Sequence, residues 1–377
     1  MPERIVEVQA LTPLLFRDGR PFSLSAGSET QARSLPLPLP NTLAGLVRTQ
    51  VGLAQGGAAF DHNDNHSALQ NLHGIPVYGP ILVQGNTFLF PAPKDAVVYQ
   101  NGGGSLEVMR LKPYRPTAGG CNLPPGLCPL RVTEDVKPES GYNFWSQEEM
   151  TDWLLGRDQV LKKRGGLPEE RRIHVGIDPR AGRAQEGQIF SVGYRSLEQG
   201  GQEYRLRARV SLDTSPEPIG YLGGERRPVR LRVYEVLSQY WFDCPQAIKE
   251  AFEKFDPEKQ LIRMVLATPG LFEHGWRPGW LERSGELHLP RGLGNVKLSL
   301  VAAAVGRREP VSGWQLRTGR PRPVRWMAPA GSVYFFRLEE GQASTVLESW
   351  LRPVSDNEQD RKDGFGLALW GVADYAE

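Results

Sequence analysis

Leu35-Pro36-Leu37-Pro38-Leu39-Pro40, followed at once by Asn41-Thr42-Leu43-Ala44-Gly45-Leu46-Val47-Arg48, is the stretch on which the reading of the fold turns. Each proline fixes its own φ and drives the residue before it out of the helical region, so the first six residues are extended. Asn41 or Thr42 is a good helix N-cap, and Leu43, Leu46, Val47 and Val51 recur at helical spacing, so a helix begins there with Arg48 near its middle. Upstream, Arg4 to Leu11 alternates Val6, Val8 and Ala10 against Glu7 and Gln9, the period of a strand with one buried face. Strand, loop and helix in that order open an α+β unit.

Further along, Ile81 to Phe90 reads as a strand, and Lys94 to Gly141, rich in Gly and Pro with no sustained period, reads as an insertion. Ser146 and Glu149 form a capping box that starts a helix with Met150, Trp153 and Leu154 on its apolar stripe. Gln202 to Leu212 alternates Tyr204, Leu206, Ala208 and Val210 with Arg205, Arg207 and Arg209, a strand whose basic face is expected to be exposed. Val229 to Val236 is a further strand, and Gly223-Gly224 before it marks the expected domain boundary. The rest repeats the scheme: helix from Pro245 to Phe255, strands Leu261 to Leu266, Val296 to Ala304 and Gly331 to Leu338, helix Ala343 to Leu351, strand Gly366 to Ala373. Two α+β sandwiches follow from this pattern.

The chain has 377 residues, which suits two domains, and its 40% hydrophobic and 23% charged residues are ordinary for a soluble globular protein. It contains neither a long apolar run nor an export signal, so a cytoplasmic protein with no membrane contact is expected. Cys121, Cys128 and Cys244 read as reduced thiols, with no metal site implied. Net charge is only +2, but 35 of the 45 basic residues are Arg, the side chain that pairs with phosphate bidentately and stacks on bases. A GC-rich genome or thermal adaptation would raise Arg equally. From Arg307 to Arg325 there are six Arg and one acid, and from Glu339 to Glu377 nine acids and three bases. Faces of opposite sign suit RNA on one side and a protein partner on the other, and simple solvated surface suits them too.

No Walker loop, zinc-protease helix, nucleophile elbow or paired CxxC is present. His62 and His66 lie in a polar loop. His174, beside Arg171 and Arg172, could bind phosphate or perform general acid–base work on RNA. Asp363-Gly364-Phe365-Gly366 precedes a strand, the reverse of the dinucleotide-binding order, and no cofactor is called for.

Leu14-Leu15-Phe16-Arg17-Asp18-Gly19-Arg20-Pro21-Phe22, Leu35 to Pro38 with Thr42 to Thr49, Leu222-Gly223-Gly224-Glu225-Arg226-Arg227, Ala267 to Phe272 with Gly275-Trp276, Gly313-Trp314, Ala328 to Tyr334 and the terminal glycine loop occur in an order that resembles the third-subunit family of the type III-B CRISPR Cmr complex. The resemblance runs from end to end. It implies a RAMP-superfamily protein of two ferredoxin-like, RNA-recognition-type βαββαβ domains with long Gly/Pro-rich insertions: residues 1–225, with an insertion at about 94–170, and residues 226–377, ending in the glycine-rich loop.

The function it implies is non-catalytic: holding the 5′ repeat-derived tag of the crRNA and linking the large polymerase/cyclase-like subunit to the backbone subunit, with target RNA met only indirectly. Carried over residue by residue, Arg17 and Arg20 are candidate tag-phosphate contacts, Thr42 and Arg48 supply a hydroxyl and a charge at the helix start, and Gly223, Gly224, Arg226 and Arg227 form the central tag-holding loop. Arg171, Arg172 and His174 form a second basic patch, and Gly364 and Gly366 the terminal backbone contact. The alternatives are a RAMP endoribonuclease that processes precursor crRNA and an assembly protein that does not touch RNA. The first lacks the histidine expected near the first helix, since none occurs between Met1 and Phe60.

Overall fold

A computed structural model describes residues 2–18, 31–60, 66–116, 122–157, 159–237, 239–282, 289–315 and 319–375. The main elements of the first half are β1 (Glu3–Ala10), α1 (Pro40–Ala54), β2 (Val77–Gln84), β3 (Thr87–Pro91), α2 (Gln147–Leu154), the hairpin β4 (Glu169–Asp178) and β5 (Arg183–Arg195), β6 (Gln202–Ser211) and β7 (Pro228–Glu235). Those of the second half are α3 (Gln246–Glu253), β8 (Gln260–Leu266), β9 (Lys297–Ala304), β10 (Val333–Glu340), α4 (Glu358–Lys362) and β11 (Ala368–Asp374). The architecture is mixed α/β, rich in sheet and poor in helix. Among the described residues, no helix is long and apolar enough to cross a membrane.

Two antiparallel sheets organise the chain. The first runs β7-β1-β6-β2-β3, with Ile219–Tyr221 and Phe144–Ser146 at its edges; the second runs β9-β10-β8-β11. The alternation in β1, β6 and β7 does what the sequence predicts on one face: Val6, Val8, Leu206, Ala208, Val210, Val229 and Leu231 pack with Leu43, Leu46, Val47 and Val51 of α1. That helix begins at Pro40, the position where a missing N–H is harmless, and its N-cap is Leu39 rather than Asn41 or Thr42.

The other face departs from expectation. Ile5, Ile81, Val83, Phe88 and Phe90 join a core dominated by the second half, including Ile262, Met264, Phe336 and Trp370. The basic face of β6 is therefore an internal junction. Arg207 and Glu7, each 2% exposed, pair at 2.8 Å; Arg205 reaches Glu7 at 3.0 Å; Arg207 also donates to the Gln239 carbonyl. Glu3 joins Arg209 to Arg352, the latter at 3.0 Å. Glu203 pairs with Arg205 at 2.8 Å, so three acids are matched to four guanidinia, and that is why a strand this basic can be buried.

The boundary also moves. β7 pairs with β1 from Ala10 to Arg4, so the first sheet extends to Glu235, beyond the expected limit at residue 225. Gly223-Gly224 is a turn packed on Leu15, not a linker. Nor is either half a complete βαββαβ repeat. No α-helix separates β6 from β7, and Ala343–Ser349 is a 3-10 turn rather than an α-helix. The expected insertion contains its own hairpin, Ala96–Gln100 with Leu106–Arg110, and is tied to the second sheet through Asp95, fully buried beside Arg263 at 3.3 Å. Burial pushes the Asp95 carboxyl up despite that arginine.

Arg207→Ala should cost about 3–5 kcal/mol by leaving Glu7 buried beside Arg205 alone, whereas a Glu7→Leu/Arg207→Met double variant should lose much less; urea denaturation of the three proteins checks this. Burial alone would raise the Glu3 carboxyl, but Arg209 and Arg352 outweigh it and hold the group below the ordinary carboxylate value. The stabilisation this gives is present above the unfolded-state pKa and lost as pH falls through the folded-state one. Glu3→Gln should accordingly flatten the acid limb of a plot of Tm against pH.

Candidate nucleic-acid interface

Three segments remote in sequence meet around one buried side chain, Tyr194 of β5. Leu15 bridges Gly223 while Leu14 bridges Arg195, so the loop after β1 lies between the hairpin and the 223–227 turn. The close approach demands glycine: Gly223 has φ +78°, and a Cβ there would sit 2.2 Å from the Leu15 carbonyl oxygen, while the Gly224 N–H donates to that same oxygen at 2.8 Å. Glu225 and Arg226 also have positive φ, 59° and 48°, a strained pair held by this packing.

Around Tyr194 the charges interlock. Its hydroxyl donates to Glu225 Oε2 at 2.8 Å and lies 3.3 Å from His174 Nε2; Arg227 donates to the same Glu225 oxygen at 2.8 Å and stacks on the Tyr194 ring at 4.3 Å. Arg172 covers that ring at 5.0 Å and pairs with Glu170 at 2.6 Å. With the phenolic proton committed to Glu225, the hydroxyl can only accept from His174, which leaves His174 Nδ1 for a ligand. The imidazole is stacked on Phe190, with centroids 5.2 Å apart. Burial, and then the Glu225 contact, push the Tyr194 hydroxyl above the ordinary phenol value. Arg226 is exposed and lies over the half-exposed Tyr221 ring at 4.8 Å. An exposed guanidinium on an aromatic face, beside backbone too tight for side chains, is chemistry suited to a sugar-phosphate strand with unstacked bases.

Of the expected site residues, the structure gathers Arg172, His174, Gly223, Gly224, Arg226 and Arg227 onto this surface, whereas Arg171 alternates to the opposite face of the hairpin, across from Gly193 and 3.9 Å from Glu169. Arg17, exposed, follows two residues after Leu15 and bridges Ser34. Arg20 lies outside the described residues. Thr42 lines a separate pocket with Asn41, His73 and Arg322. Arg48 cannot serve as an exposed RNA contact: it is 8% exposed, pairs with Asp363 at 2.6 Å and donates to the Ile75 and Lys362 carbonyls. Gly364 and Gly366 are buried as well. A Cβ on Gly364, at φ +91°, would meet the Val77 and Gly79 carbonyl oxygens at 2.5 and 2.7 Å, and one on Gly366 would meet Ser355 Oγ at 2.7 Å. The terminal loop thus packs on β2, inside the protein.

The acidic block is likewise no single face. Asp356, Asp360 and Asp363 are buried, and Arg325 of the basic run is bound bidentately by Asp360 at 2.7 Å. Tyr194, Phe190 and Tyr221 escaped the sequence reading. The signal was present in β5, where Phe190 and Tyr194 stand opposite His174 and Glu170 in the ladder.

The family model described as CRISPR-associated protein (Cas_Cmr3) matches residues 6–373. A search of curated proteins gives no match. Among solved structures, a chain of the type III-B Cmr-beta complex bound to cognate target RNA is 18% identical at TM-score 0.46, and one of that complex bound to target RNA and AMPPnP is 17% identical at 0.44; each comparison covers 88% of this chain and 86% of the other. A chain of the type III-A Csm3–Csm4 subcomplex is 11% identical at TM-score 0.37, covering 90% and 94%.

Gly223→Ala should open the 223–227 turn and lower Tm by several degrees, with proteolysis appearing at that turn. Gly224→Ala, whose Cβ would meet only the Leu15 side chain at 3.0 Å, should do much less. Thermal melts and limited trypsin digestion of the two variants check this.

Proposed function

The chain belongs to the Cas_Cmr3 family of CRISPR-associated proteins, and from that premise we propose that it is a subunit of a type III-B Cmr complex and anchors the 5′ tag of the crRNA on the Tyr194 surface without cutting it. The observation that carries this is the convergence of Arg172, His174 and the 223–227 turn on one aromatic, with Arg226 left exposed on Tyr221. Arg226 takes a phosphate, His174 Nδ1 accepts from a base-edge N–H, and Tyr221 offers a stacking face. Arg227 and Arg172 position the others through Glu225 and Glu170. In this reading each half is a ferredoxin-like RAMP domain with reduced helices, since both four-stranded cores have the order in which strand one lies between strands four and three. The large polymerase/cyclase-like subunit and the backbone subunit are the protein partners, and the site of action is the cytoplasm.

A second reading has one specific observation in its favour. His174, Tyr194 and Glu225 form a hydrogen-bonded chain that could move a proton, as a precursor-processing ribonuclease would require. Both readings are tested in the same tubes, with the protein and its large-subunit partner mixed with tagged guide or with guide whose tag is scrambled, over a salt series. Tag-dependent binding is expected, without cleavage. Arg226→Ala should weaken it severalfold and reduce the slope of log K against log salt by about 0.7, one single-strand phosphate contact. Indifference to tag and to Arg226 would leave assembly alone; cleavage abolished by His174→Ala or Tyr194→Phe would establish the nuclease.

A further inference from the structure

A cleft of about 930 Å³ lies away from Tyr194, between the 122–130 segment and the second half, and is walled by Trp276 and Trp326, with Ala302, Val305 and Met327 among the residues of its floor. Large aromatics in this protein are otherwise mostly hidden: Trp145, Trp153, Trp241 and Trp370 are fully buried. Trp276 and Trp326 are 37% and 45% exposed. Two exposed indoles in one cleft need a reason, because each leaves a large apolar face in water.

Both rings are held on rigid supports. The Trp276 carbonyl accepts from the buried Tyr334 hydroxyl at 2.7 Å, and Glu282 clamps the flanking His274 and Arg277 at 3.3 and 3.5 Å. Trp326 lies on a short strand paired with Glu309–Val311, and its neighbour Ala328 exchanges backbone hydrogen bonds with Gly270 at 2.8 and 2.9 Å. Arg308, one residue before that paired strand, lays its guanidinium 4.4 Å over the Trp326 ring. Beside it Arg307 is exposed and makes no ion pair among the described residues. The basic run thus divides: Arg325 is spent inside on Asp360, while Arg308 lines this cleft with the exposed Arg307 next to it in the chain.

From these observations we propose that the cleft is a second single-stranded RNA site, in which unpaired bases stack on Trp326 and Trp276 while Arg307 and Arg308 meet the adjoining phosphates. Charge selects this occupant: indoles alone would suit an apolar protein segment, but a guanidinium stacked on one ring with a second cation beside it matches base and phosphate together. The site is independent of the tag surface and stands or falls without it.

The test is photo-crosslinking of the full chain, alone and with its large-subunit partner, to a uridine-rich ten-nucleotide RNA carrying 4-thiouridine, with the attached peptides mapped by mass spectrometry. Cross-links are expected at residues 274–277 and 326–328. They should fall at least fivefold in Trp276→Leu/Trp326→Leu, which keeps the apolar surface but removes the rings, persist in Trp276→Phe/Trp326→Phe, and persist in Arg226→Ala. Should the leucine variant fail to fold, Arg307→Gln/Arg308→Gln serves instead, with the same loss expected. Cross-links confined to the Tyr194 surface overturn the proposal. So does unchanged cross-linking with loss of large-subunit binding in the leucine variant, which would make the cleft a protein-docking site.

Discussion

The structure hangs on Glu7. It stands on the central strand of the first sheet, 2% exposed, between Arg205 and Arg207, at the level where the second half closes over that sheet. A carboxylate taken out of water is tolerable only if partners surround it, and those partners are tolerable there only because Glu7, Glu3 and Glu203 neutralise them. The ion ladder therefore fixes β1 against β6 and reaches the second half at one ion pair, Glu3 with Arg352.

Two economies of arginine coexist in this chain. One set is structural: Arg48, Arg195, Arg207, Arg263 and Arg325 hold carbonyls and carboxylates across long stretches of sequence. The other faces outward, at Arg171, Arg226, Arg230, Arg232 and Arg307. Composition cannot separate them, because a buried network also exploits the fork geometry that suits phosphate.

This explains which parts were legible. The strand periods of β1, β6 and β7 and the α1 junction follow from local sequence, since alternation and proline geometry act over a few residues. What covered the second face did not. Arg205-Leu206-Arg207-Ala208-Arg209 reads as half-exposed until Glu3 and Glu7, about two hundred positions away, are brought opposite. Gly364 and Gly366 illustrate the same limit: a glycine needed for close approach looks alike whether the visitor is a ligand or the protein's own strand. The structure brings the 223–227 turn and the Arg172–His174 stretch together, yet the tyrosine that joins them was missed because tyrosine in a strand ordinarily reads as packing.

The burial of Gly364 on β2 and the pairing of Arg48 with Asp363 have a temporal side. As the polypeptide leaves the ribosome, α1 and the first strands emerge long before residue 363. Until then the Arg48 guanidinium has only carbonyl partners from its own half, and the face of β2 that will receive the terminal loop stays wet. The nascent first half is thus held unfinished through most of translation. Completion waits for residues 363–366 to be released.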